Sequence, residues 1–253
     1  MNNQIEREYV ESLKFNFEFL PDDKLLKLSI DNVALVEAMI RADSKYCRSF
    51  DKKAESKGKY GGSIAYWMTQ LRNYYESFEN LGDKEFQEII EGAVSAVDRE
   101  NSTHLESDKN KGGGRDAVVR KLMTMDKACI YNSLKNRTFT LFEKILEKSS
   151  NQKGTRKNPS FASKFCHYAC MYLFEGMKEQ DNFSIYDGVL CKVIPKYAMY
   201  YGVDCGKKKI ECKNENDYKY YSDLIDEILK KSGNNISRNG FDHLLWYYYK
   251  GRV

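Results

Sequence analysis

Lys164 is the residue of this 253-residue chain whose setting most suggests chemistry. It lies just after Asn158 and Pro159, which are suited to the cap and the first turn of a helix. Phe161, Lys164, Phe165, Tyr168, Met171 and Tyr172 recur at spacings of three and four, so they share one broad helix face. A lysine in the middle of an aromatic face has two readings. It snorkels from the edge and keeps its ammonium in water. Alternatively its amine is partly desolvated, its pKa falls, and it serves as a nucleophile. Twenty-three residues later the apolar, extended run Phe183-Ser184-Ile185-Tyr186 delivers Asp187. The next helix is expected from Gly188 to about Ile194, with Pro195 after it. Asp187 is then a helix cap, held ionised by the helix dipole. An amine nucleophile and a fixed carboxylate are also the parts needed to break an N-glycosidic bond and hold the sugar as a Schiff base.

The segments Ser163-Lys164-Phe165 and Ile185-Tyr186-Asp187-Gly188-Val189 resemble the lysine and aspartate segments of the 8-oxoguanine DNA glycosylases, in the helix-hairpin-helix superfamily. In that family a lysine opens a helix, and a short apolar run then delivers an aspartate at the head of the next one. The resemblance spans about 35 residues. It implies Lys164 as the nucleophile and Asp187 as its carboxylate partner. It also implies a bifunctional DNA N-glycosylase and abasic-site lyase that extrudes a modified purine, such as 8-oxoguanine, from double-stranded DNA. No metal or organic cofactor is implied. Phe161, Tyr168, Trp246 and Tyr247 are the candidate walls of the base pocket. Three departures mark a divergent branch. Lys157-Asn158-Pro159-Ser160-Phe161 replaces the family's glycine-rich hairpin, Tyr168 stands four residues after the lysine, and Val189 stands two after the aspartate. Divergent branches of this kind also occur in microbial defence against phage. Two other classes stay open: a non-catalytic nucleic-acid-binding protein on the same scaffold, and an enzyme acting on free nucleosides.

Charge supports a polyanion partner. The chain carries 41 Lys and Arg against 37 Asp and Glu, a net charge of +4. Residues 107–164 hold 14 Lys/Arg against 5 Asp/Glu, so that stretch is +9 and the remainder −5. Lys111-Gly112-Gly113-Gly114-Arg115 precedes a helix and suits a backbone nest for a DNA phosphate, flanked by two cations. The basic loop 149–157 leads into the lysine helix, with Lys153, Arg156, Lys157 and Ser160 as further phosphate contacts. A flexible connector and a set of solvated helix faces are the plainer readings of these stretches.

The seven cysteines form no regular framework and read as thiols of a cytoplasmic protein. Cys205 and Cys212 lack the further cysteines an iron–sulfur loop needs. Cys166 and Cys170 share a helix face that His167 does not, so no metal site is expected there. The N-terminal residues lack the apolar core of a signal peptide, and no apolar run approaches the length of a membrane span. A mean hydropathy of −0.68, 13% aromatic residues and only three prolines suit an α-rich chain.

The elements needed to position Lys164 and Asp187 are mostly helices. Amphipathic patterns predict helices over 31–43, 63–80, 83–100, 115–125, 217–231 and 241–249. A further pattern over 127–149 predicts one long helix, or two with a break near Asn136. The alternation Phe15-Asn16-Phe17-Glu18-Phe19 is the best strand candidate. The expected fold is mostly α, a single two-lobed, DNA-glycosylase-like helical domain over 1–253. Its lobes are expected at about 1–126 and 127–253, with a degenerate helix-hairpin-helix and short N-terminal strands.

Overall fold

Helix starts in the chain are written by short polar side chains. Ser63, Asp126, Asn158 and Ser237 each accept a hydrogen bond from a backbone N–H of the first turn that follows. A computed structural model describes residues 16–21, 25–42, 61–77, 82–105, 114–150, 157–206 and 208–250, with Glu8, Ser12 and Arg252. Among them the protein is mostly α, with ten helices. These are α1 (Ile30–Ala42), α2 (Ile64–Glu76), α3 (Asp83–Asn101), α4 (Arg115–Met123), α5 (Lys127–Lys135), α6 (Thr140–Lys148), α7 (Pro159–Leu173), α8 (Leu190–Tyr200), α9 (Glu215–Ser232) and α10 (Arg238–Tyr249). A 3-10 turn covers Lys178–Asp181.

The described residues fall into two compact units, with α9 divided between them after Lys219. One gathers the described residues of Met1–Arg48, Asp187–Glu211 and Tyr220–Val253; the other those of Ser49–Tyr186 and Cys212–Lys219. The division is discontinuous in sequence and does not fall at the expected 126/127 boundary. The reason is that α4, α5 and α6 pack in one unit, with α6 against both α4 and α7.

In the first unit α10 packs on α1 and α8. Its irregular N-terminal chain is held by two tyrosines. Tyr197 Oη donates to the Leu26 carbonyl (2.9 Å), and Tyr249 Oη accepts the Leu26 N–H (3.1 Å). Burial first, and then Tyr249, push the Tyr197 phenol well above its usual pKa. The expected strand at Phe15–Phe19 is not formed among the described residues. Phe19 and Leu26 make a single antiparallel bridge, closed by bonds from Leu20 N–H to Leu25 O and Lys27 N–H to Glu18 O. Asn32 of α1 then takes over, donating to Glu18 O and Lys27 O, so side-chain amides replace a longer ladder.

Pro195 does not end its helix as expected. Helix α8 runs through it to Tyr200. Proline leaves the carbonyl four residues back without a helical donor. Here that carbonyl, of Cys191, accepts the Ile210 N–H at 3.0 Å, and the helix continues.

The second unit is built around α7. From Phe161 to Cys170 every residue of α7 is buried, as befits a helix packed on several sides. It meets α2, α3, α5 and α6. Close packing of α2 on α3 requires Gly92, where a Cβ would lie 2.2 Å from the Trp67 ring. The expected break near Asn136 is present: α5 ends at Lys135, Arg137 adopts φ 54°, and α6 starts at Thr140.

Candidate functional site

Helix α7 carries Lys164 between two polar side chains that do structural work. Ser163 and His167 are four residues apart, so they lie one above the other on the same side of the helix. Ser163 Oγ accepts the Tyr186 N–H (3.0 Å) and lies 3.3 Å from the Tyr186 carbonyl. His167 Nδ1 lies 2.8 Å from the Phe183 carbonyl. A carbonyl only accepts, so the proton is on Nδ1. From a neighbouring element, Tyr218 Oη donates to the Ser184 carbonyl (2.5 Å) while its ring stacks on Phe142 at 4.1 Å. The run Phe183–Tyr186, buried through Ile185, thus passes antiparallel to α7, with helix side chains supplying the partners a strand would have provided.

Lys164 has 7% of its surface exposed and lies among Phe161, Phe165 and Tyr168 on the aromatic face. Tyr186 ends the longer segment of this unit, and Asp187 follows it in the chain as the first residue of a segment of the other unit. Asp187 is 7% exposed. Its Oδ1 accepts the N–H groups of Val189 and Leu190, both at 2.9 Å, and its carbonyl accepts from Cys191. The helix starts at Leu190, two residues later than expected, with Val189 at the N-cap position, so Asp187 holds the turn that leads into α8 and the first helical N–H.

Helices α6 and α7 are joined by a loop whose stem is closed: Asn158 N–H donates to Ser149 O (2.8 Å), and Ser150 pairs with Lys157 in an antiparallel bridge. Asn158 has three tasks. Its Oδ1 caps α7 through the Phe161 N–H, its Nδ2 donates to the Thr103 carbonyl (2.7 Å), and its backbone closes the stem. Thr103 and Leu105 are held in turn by the buried carboxylate of Asp98, at 2.6 and 3.0 Å. The other Asp98 oxygen lies 3.5 Å from Arg115 Nε.

The candidate DNA contacts are placed unevenly. Lys111, Gly112, Gly113, Lys153 and Arg156 lie outside the described residues. Gly114 adopts φ 86° and ψ −163°, a conformation L side chains avoid, and its N–H donates to the Lys148 carbonyl at 2.9 Å. That amide ties α4 to α6 rather than pointing at a phosphate. Arg115 faces Asp98, Lys157 is exposed at the loop stem, and Ser160 is half-buried.

Of the base-pocket candidates, Phe161 has no exposed surface and packs beside Phe165, so it is a core ring. Tyr168 is 9% exposed and donates to Asn101 Oδ1 at 3.3 Å. Both belong to the second unit. Trp246 and Tyr247 are half-buried on α10 of the first unit, and the Lys250 ammonium lies 4.0 Å from the Trp246 ring centre.

Ser163 and His167 were not singled out from sequence as supports of the lysine helix. Their signal was two polar residues at helical spacing, on either side of Lys164, in an otherwise apolar run. Burial pushes the Cys166 and Cys170 thiols well up, which makes them poor nucleophiles. Among the described residues no three His, Cys, Asp or Glu side chains are grouped to hold a metal, and no helix is long and apolar enough to cross a membrane. Comparison of the chain with protein-family models, curated proteins and solved structures returns no match.

Proposed function

We propose that the protein is a DNA N-glycosylase with associated abasic-site lyase activity, acting on a modified purine such as 8-oxoguanine in double-stranded DNA through a Schiff base on Lys164. The observation that carries the reading is the pairing of a buried lysine with a bound segment that ends one residue before Asp187. Ser163 holds Tyr186 by its backbone, and Asp187 is one peptide unit further on, a Cα step of ~3.8 Å. The chain thereby ties the residue before the nucleophile to the residue before the carboxylate. Removal of water from around an amine is the condition that makes a lysine a nucleophile rather than a surface charge.

The chemistry balances with these two groups. The neutral Lys164 amine attacks C1′ of an extruded nucleotide, and the purine leaves with the electron pair of its glycosidic bond and takes up a proton. Asp187 stabilises the positive charge that builds on the sugar and accepts a proton from the attacking amine. Opening of the sugar ring gives the imine. Loss of a C2′ proton then expels the 3′ phosphate and nicks the strand.

Borohydride trapping tests this. The protein is incubated with duplexes carrying 8-oxoguanine, an abasic site or a deazaguanine-type base, and then reduced. A covalent protein–DNA band is expected, and it is expected to vanish in Lys164→Gln. No band with any duplex, alongside retained binding, would identify a non-catalytic nucleic-acid-binding protein. A band that persists in Lys164→Gln would place the nucleophile elsewhere.

A further inference from the structure

A row of cations runs along the α4–α6 pair, away from Lys164 in sequence and untouched by the chemistry above. The Gly114–Lys148 bond joins the start of α4 to the end of α6, so the two helices run antiparallel from that point. Along α6, Lys144 and Lys148 are one turn apart, ~6 Å of rise, and share a face. Along α4, Ala117, Arg120, Lys121 and Thr124 recur at the same spacing. A cleft of about 230 Å³ is lined by Ala117, Arg120, Lys121, Thr124 and Lys148. A second, of about 500 Å³, includes Lys121, Lys144 and the carboxylate of Asp126, with amide and hydroxyl side chains and the apolar Met125 and Cys129 on its walls. Lys144 meets Glu147 at 3.3 Å, whereas Arg120, Lys121 and Lys148 have no carboxylate within 4 Å among the described residues.

We infer that this double cleft is a binding surface for the sugar–phosphate backbone of a nucleic-acid duplex. Three features favour that ligand. The cations are strung along two helices instead of converging on one point, which suits a chain of phosphates better than a single phosphate group. Amide and hydroxyl side chains, which bond phosphate and sugar oxygens, stand between them, and the carboxylate that also lines the wider cleft, Asp126, has one oxygen engaged by the first N–H groups of α5. No aromatic ring lines either cleft, so unstacked bases find no platform and a single strand loses its main source of affinity. The surface grips without reading sequence. It does not depend on Schiff-base chemistry at Lys164.

The test is anisotropy of a lesion-free labelled duplex over a salt series. It compares the wild-type chain, the triple variant Lys121→Gln/Lys144→Gln/Lys148→Gln, and a charge-matched control, Lys84→Gln/Lys178→Gln/Lys196→Gln. The cleft variant is expected to bind more weakly whatever the duplex sequence, with its log K against log salt slope reduced by about one per lysine that meets a phosphate. The control is expected to keep most of the slope. Equal losses in both triples would mean general charge attraction and overturn the inference. So would an unchanged slope, absence of duplex binding by the wild type, or equal competition by polyglutamate of matched charge. Trapping on lesion duplexes is scored separately. Trapping with an unchanged slope sinks this inference alone, and a reduced slope without trapping sinks the glycosylase alone.

Discussion

Both units bury a stretch of chain that is neither helix nor sheet, and they satisfy its backbone differently. In the second unit the partners are Ser163 and His167, short or rigid side chains on one helix, reaching Tyr186 and Phe183. In the first they are Tyr197 and Tyr249, long side chains from two helices, meeting at Leu26 with their oxygens 3.2 Å apart. The first arrangement binds a segment tightly along one helix and sets the position of whatever follows it. The second closes a core from a distance and directs nothing onward. A buried irregular segment has to find donors and acceptors in either case, because an orphaned backbone group costs as much as a lost hydrogen bond. Only the first arrangement lies beside the candidate chemistry.

The contrast can be broken at three places. The largest effect is expected for Asp187→Asn. Asparagine still caps a helix, so unfolding free energy should change by less than ~1 kcal/mol. The borohydride-trapping rate on an abasic duplex should fall by about 10²–10⁴, the usual worth of a lost acid–base or charge-stabilising group. A rate within threefold of wild type would show that Asp187 is only a cap.

Ser163→Ala comes next. It leaves the half-buried Tyr186 amide without its hydroxyl partner, and urea unfolding should register a loss of about 1–2 kcal/mol. Trapping should fall with it, because the segment leading to Asp187 is loosened. If stability drops while trapping is unchanged, the segment does not position the carboxylate. Tyr249→Phe is expected to be the mildest, about 1 kcal/mol in the same measurement. The Leu26 amide loses its acceptor, and Tyr197 keeps the carbonyl. Trapping should not change, which would distinguish a core-closing contact from a positioning one.

Local signals were read from the chain with good effect. The cap at Asn158, the break after Lys135 and the apolar face of the Lys164 helix all follow from residue type and spacing over a few positions. The lapses came where a distant partner intervened. Phe15–Phe19 alternates as a strand should, yet Asn32 supplies the bonds a second strand would have made. Pro195 should end a helix, yet Ile210 takes the carbonyl it leaves behind. Gly114 reads as part of a phosphate nest, yet its amide is held by Lys148.

What this sequence determined by itself was its mostly helical character, the start of the Lys164 helix, and the presence of a lysine on an apolar face with an aspartate before the next helix. These depend on interactions within one or two turns, where spacing and side-chain chemistry suffice. Only tertiary structure decided that Ser163 and His167 hold the run before Asp187, that α6 and α7 meet through a closed loop stem, and that the α4 and α6 lysines line one cleft. Each of those joins groups far apart in the chain, and a helical pattern does not specify which other face it will meet.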